Sequence, residues 1–174
     1  MKTLTKYSIL LLALFFMASC EKNNNGSLPE GETQGGLIKH SGCKDFSNAK
    51  SSTVAANVSQ VDYLYNTSTN SLRLNHLNAG FNCCPSKLSC DFSVMNDTIF
   101  VEEKEVLENG GCRCMCLYDL EMIITGIEAK KYVVKFIEPY YSGDEKLIFE
   151  IDLTENKEGS YNVNRDEYPW GVIE

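Results

Sequence analysis

Three cysteines alternate in Cys112-Arg113-Cys114-Met115-Cys116, and no other stretch limits the fold as strongly. On an extended strand, side chains at i, i+2 and i+4 share one face, with neighbours about 6.6 Å apart, which disfavours a bond inside the triplet. The three sulfurs therefore look for partners elsewhere, and Cys43, Cys83, Cys84 and Cys90 are available. Two or three bridges would pin the 83–90 segment onto the start of the strand, with Cys43 able to take one from the N-terminal side. A bond between the neighbours Cys83 and Cys84 would need a strained peptide. Spacing alone does not choose among the connectivities, and one of the seven is left over.

The chain has eight cysteines in 174 residues, more than a reducing cytosol sustains unless they hold metal. A metal alternative would use Cys112, Cys114 and Cys116 with His76, soft ligands that suit Zn or Cu(I). Zinc ribbons present Cys-x-x-Cys on turns, however, and the chain contains no Cys-x-x-Cys. Disulfides in an oxidising compartment are the leading expectation, and no cofactor is called for.

That compartment is readable at the N-terminus. Lys2 and Lys6 precede an apolar run from Ser8 to Met17, and Ala18 and Ser19 follow. Roughly ten apolar residues are too few to span a bilayer and match a signal peptide. Phe16-Met17-Ala18-Ser19-Cys20 resembles a bacterial lipobox, with Met17 where Leu is more usual. The resemblance implies that Cys20 carries a diacylglycerol and becomes an acylated N-terminus, so the membrane is a partner through lipid. The organisation expected is a signal peptide over 1–19, a lipidated Cys20 and flexible tether over 20–40, and one domain over 41–174. The tether is rich in Asn, Gly and Glu and almost free of apolar residues. A net charge of −8 excludes nucleic acid as a natural partner.

From about residue 50 the apolar pattern has period two. Val61–Tyr65 and Ser71–His76 flank the polar Asn66–Asn70, as in a hairpin. Further strands are expected at Thr98–Glu102, Cys114–Ile124, Tyr132–Ile137 and Lys146–Leu153, the second of these with Tyr118, Leu120, Met122 and Ile124 on one face. No window supports an amphipathic helix. The fold class is all-β: an antiparallel β-sandwich, immunoglobulin-like in size and disulfide-stapled.

Catalytic signatures are missing from the sequence: there is no Gly-x-Ser-x-Gly and no His-Glu-x-x-His. Glu102, Glu103 and Glu105 read as a charged strand end, Asp119 as a cross-strand hydrogen-bonding residue, and His76 as a solvated or hydrogen-bonded one. Tyr140, Tyr141 and Trp170 are the residue types favoured at recognition surfaces. The expected role is a non-catalytic, lipid-anchored module that binds an envelope protein or a glycan.

Asn82-Cys83-Cys84-Pro85, Gly111-Cys112-Arg113-Cys114-Met115-Cys116-Leu117-Tyr118-Asp119 and Tyr168-Pro169-Trp170-Gly171 together resemble small cysteine-bearing lipoproteins of Bacteroides-type gut anaerobes. The resemblance runs from about residue 60 to the end. It implies an outer-membrane lipoprotein, facing the periplasm or the outside, and carries over no catalytic residue. Asp97-Thr98-Ile99 also resembles the sequon on which such bacteria place O-linked glycans, which makes Thr98 a modification candidate. Both modifications are read by one mass: native protein is expected to be heavier than the chain from Cys20 by its acyl groups and by a glycan. A native mass equal to the lipidated polypeptide would remove the glycan from Thr98.

Overall fold

The structure, a computed structural model, describes residues 33–44, 54–108 and 110–165. Cys20, the leader, the tether as far as residue 32, and Trp170 lie outside the described residues.

Two sheets pack face to face. In the first, β1 (Gln34–His40), β6 (Met115–Thr125), β3 (Ser71–Asn82), β2 (Val58–Asn66) and β9 (Glu158–Asn164) lie side by side in that order, every pair antiparallel. In the second the order is β4 (Lys87–Met95), β5 (Thr98–Val106), β7 (Lys131–Ile137) and β8 (Ile148–Asp152). β5 and β7 run parallel, the one exception to the antiparallel arrangement. The all-β sandwich read from the sequence is thus the fold.

Alternation makes the strands. Tyr118, Leu120, Met122 and Ile124 of β6 point inward, as do Leu72 and Leu74 of β3, and the second sheet answers with Ile99, Val101, Tyr132, Val134, Phe136, Phe149 and Ile151. Each fully buried Leu or Ile contributes about 1.5–3 kcal/mol, so this shared interior holds the sheets together. At the β4–β5 connection Asn96 and Asp97 have φ of 48° and 59°, the pair of left-handed conformations that a tight hairpin turn needs.

Three elements depart from the sequence reading. Residues 34–40, expected as tether, form β1 on the edge of the first sheet. Only Leu37 and Ile38 are apolar there, so the strand signal is weak. Gly35 makes the fit possible, because a Cβ on it would lie 2.5 Å from Phe92 Cδ2 of β4, which closes over that edge. β4 itself was hidden behind its cysteine: Leu88 and Cys90 face the core, with Phe92 and Val94 partly buried behind them. β9 carries only Tyr161 and Val163 as apolar contacts, and its Gly159 is covered by the Tyr63 ring directly opposite.

The sulfurs pair as Cys43–Cys116, Cys83–Cys114 and Cys84–Cys112, with Cα separations of 5.6, 5.6 and 5.8 Å. The β3–β6 ladder ends at Asn82 opposite Met115, and the Cys83 amide continues it by donating to the Cys114 carbonyl at 3.1 Å. Two bridges thus clamp the open end of that ladder. Cys112 and Cys114 precede the strand rather than lying on it, a correction to the single extended triplet. Cys90 is also corrected: it is no bridge partner but a free thiol, because β4 turns it into the core away from the cluster.

Peptide mapping without reductant should recover those three pairs, with Cys90 alkylated only after unfolding. Labelling of Cys90 in the native protein, or its recovery in a bridge, would contradict this arrangement.

Candidate functional site

Residues on the outer face of the first sheet line a depression of about 300 Å³: Lys39, His40, Asp62, Asn75, Leu77 and Glu121 with their neighbours. Its shape comes from two irregularities in the ladder. β1 shifts register between Leu37 and Lys39, and β3 shifts between His76 and Ala79. Both flank the same short piece of β6, Tyr118–Glu121. β-Bulges bend a strand and re-aim its side chains, and here two of them break an otherwise regular face at one place.

Asn78 sustains the second bulge. Its φ of 66° is in the left-handed region that Asn tolerates better than most residues. Its side-chain amide donates to the Ala55 and Val58 carbonyls at 3.0 and 2.6 Å and accepts from Lys44 Nζ at 2.7 Å. Its backbone N–H donates to Asp119 Oδ1 at 3.1 Å, and Lys44 pairs with the same carboxylate at 2.5 Å. Asp119 is therefore the cross-strand hydrogen-bonding residue expected of it.

One row crosses four strands of this face: Asp62 opposite Asn75, Asn75 opposite Glu121, and Glu121 opposite Lys39. Lys39 Nζ lies 2.7 Å from the Glu121 carboxylate, and Arg73 bonds its other oxygen. The Lys39 hydrogen bond holds the Glu121 carboxyl below the usual range, against desolvation and with help from the Lys39 and Arg73 charges. His40 is a lining residue at the strand edge, its Nδ1 2.7 Å from the Ser41 carbonyl oxygen and its ring edge-on to Tyr118.

Beneath this face, on the core side of β3, is an arrangement that the sequence reading missed. His76 is fully buried, with Nε2 2.7 Å from Ser59 Oγ on β2 and Nδ1 2.6 Å from Glu103 Oε1 on β5. Glu103 was read as part of a charged strand end, yet it is only 2% exposed. The signal was in its parity: Ile99, Val101 and Glu103 share the inward side of β5. Glu138 and Arg165 stand beside the relay, Arg165 Nη2 contacting both Glu138 oxygens at 2.9 and 2.7 Å. Burial raises the Glu138 carboxyl above its ordinary range, Glu103 adds to the effect, and His76 and Arg165 oppose it.

The residues of the metal alternative have other partners in this structure. Cys112, Cys114 and Cys116 each share a bond with a different cysteine, and both His76 ring nitrogens are engaged in the core. Among the described residues no three His, Cys, Asp or Glu side chains converge as metal ligands. Tyr140 and Tyr141 are half-buried and turned to internal partners: Tyr140 donates to Glu105, and Tyr141 donates to Glu145 at 2.7 Å under the Arg165 guanidinium. Burial, reinforced by the Glu105 carboxylate, pushes the Tyr140 hydroxyl up to about 12. Thr98 opens β5 immediately after the exposed Asn96-Asp97 turn and is half-buried.

Asn82 ties the clamp to the sheet. Its side-chain oxygen accepts from the Cys84 and Cys112 amides at 3.0 and 2.9 Å, its nitrogen donates to the Cys112 carbonyl at 2.7 Å, and Tyr118 donates to its backbone carbonyl at 3.0 Å. Comparison with known protein families, with curated proteins and with solved structures returns no match.

Replacing Asn82 by Ala strips partners from two amides and a carbonyl near the buried end of β3. A loss of about 2–4 kcal/mol is expected in chemical denaturation, with all three disulfides still formed. A change below about 0.5 kcal/mol would show that the bridges hold the segment unaided.

Proposed function

We propose that the chain is a lipid-anchored envelope protein acting as a non-catalytic binding module, with a glycan as ligand in the outer-face depression. The observation that carries the reading is the row Asp62–Asn75–Glu121–Lys39, set across four strands at the place where two bulges break the sheet. Carboxylate, amide and ammonium groups in one line, beside the apolar Leu77, offer both acceptors and donors to a ligand rich in hydroxyls. The depression sits on rigid strands whose ends are stapled, which limits the ordering cost of binding. Anchor and location rest on the lipobox-like leader and on the lipoprotein resemblance, and either membrane face suits the module.

An esterase-like reading fails on geometry. Ser59, His76 and Glu103 have the connectivity of a nucleophile, base and orienting acid, but Ser59 and His76 are 0% exposed, and Glu103 is nearly so. A hydroxyl enclosed in the core meets no substrate.

The test is a two-dimensional NMR titration of the isotope-labelled protein in detergent with two probes, a soluble peptidoglycan digest and a pool of neutral oligosaccharides. Saturable shifts confined to Asn75, Leu77, Asp119 and Glu121 are expected with one of them, weakened at least tenfold by Asn75→Ala. No shift with either probe, or shifts elsewhere on the surface, would overturn the assignment.

A further inference from the structure

The residue that joins the two halves of this site is His76. It stands between Asn75 and Leu77, which both line the depression, while its own ring points the other way into the core. Its ladder partner is Leu120, another lining residue, and the β3 bulge begins directly after it. The backbone that shapes the depression is therefore the backbone that carries the ring.

Ser59 faces the His76 ring from β2 and Glu103 from β5, with the Cys90 thiol of β4 opposite Glu103 in the ladder. From β7 the Phe136 ring meets it edge-on at 5.3 Å, and the Glu138–Arg165 pair lies behind. Glu103 and Glu138 thus place two carboxyl groups around the imidazole, and Arg165 places one guanidinium beside Glu138. The second oxygen of Glu103 is buried and has no hydrogen-bond partner among the described residues, so the His76 ring is the partner through which this carboxyl group is satisfied.

We propose that His76 is a buried proton-holding group whose protonation state sets the geometry of the depression on the opposite face of β3. As control of binding this rests on the depression being the ligand site; as coupling between the two faces of β3 it is testable without ligand. In the protonated state the ring donates to both Ser59 and Glu103. When the proton leaves Nε2, the Ser59 hydroxyl must turn to donate in its place, while the Glu103 bond persists through Nδ1–H without the charge on the ring. The strain falls on β3 where its ladder is already interrupted.

The sign follows from the environment. Burial pushes the imidazole down, Glu103 by charge and hydrogen bond and Glu138 by charge push it up, Arg165 opposes them, and the net direction is up. A histidine raised in the folded state stabilises that state at acid pH and loses its contribution as pH rises through the folded value. Glu138, raised as well, acts in the same sense. The protonated geometry thus persists to higher pH than an ordinary histidine would allow, and the depression changes as pH rises through the folded value.

The chain has two histidines, and His40 lies in the depression itself. In the full-length His40→Gln protein, solubilised in detergent, the one remaining imidazole reports directly on His76. Between about pH 5 and 10 the amide shifts of Asn75, Leu77 and Asp119 are expected to follow the His76 ring with one midpoint, above the ordinary histidine value of about 6.5. Glu103→Gln should lower that common midpoint by at least one pH unit; if it does not fold, Glu138→Gln should lower it in the same direction. Groove amides that stay flat while the ring titrates, or move with a different midpoint, would overturn the coupling. A ring that keeps one protonation state throughout would do the same. None of these readings uses the glycan probes, so failure of the coupling and failure of the ligand assignment are separately visible.

Discussion

Pairing of β6 with β3 is the constraint on which the other elements rest. These are the two longest strands among the described residues, and β1 lies along the free side of β6. A long antiparallel pair can slip by one residue, and a slip would turn Leu120, Met122 and Ile124 outward together. The sulfurs beyond Asn82 and Met115 remove that freedom, because Cys83–Cys114 and Cys84–Cys112 form only in the native register. In a chain-entropy view, bridges between residues 31 and 28 apart stabilise by roughly 3–4 kcal/mol each, an amount comparable with burying one or two large apolar side chains.

Against that covalent frame the interior carries an opposite choice. His76, Glu103, Ser59, Glu138 and Arg165 occupy space that hydrophobic residues of similar volume would fill at lower cost, since isolated charges in a core are expensive and pairs only partly repay the desolvation. Their hydrogen bonds bind β2, β3 and β5 and the segments after β7 and β9 to one another with directional contacts. A non-directional core would fix separation between sheets but not their relative slide. The relay fixes both.

Most of the sheet framework was legible in the amino-acid sequence, because the β2–β3 hairpin, β6, β7 and most of β8 announce themselves by alternation. β1 and β9 do not, since an edge strand with one exposed side and few apolar residues has no pattern to show. β4 has the pattern, but Cys90 drew attention as a sulfur when its parity with Leu88 marked it as core. Glu103 and His76 were hidden by the same habit: their chemistry suggests solvent, and their position on the strand dictates burial. The bulges were beyond reach altogether. A bulge is a mismatch between two strands, and the one between His76 and Ala79 exists only in relation to residues some forty positions later.

The bridge from Cys43 to Cys116 has a mechanical meaning. β1 runs antiparallel to β6, and it is Gln34, at the far end from the bridge, that tension from the preceding chain reaches first. Load applied there across the strand axis peels hydrogen-bonded pairs one after another, the weak direction for a sheet edge. The peeling front advances from Gln34 to His40 and then meets a covalent bond just past the strand. About 30 Å of chain can pay out before it stops, at the cost of the contact Leu37 makes with the core, and the rest of the sandwich bears the load through β6. β1 thus behaves as an extensible leash with a hard stop, able to give and re-zip without unfolding the domain it holds.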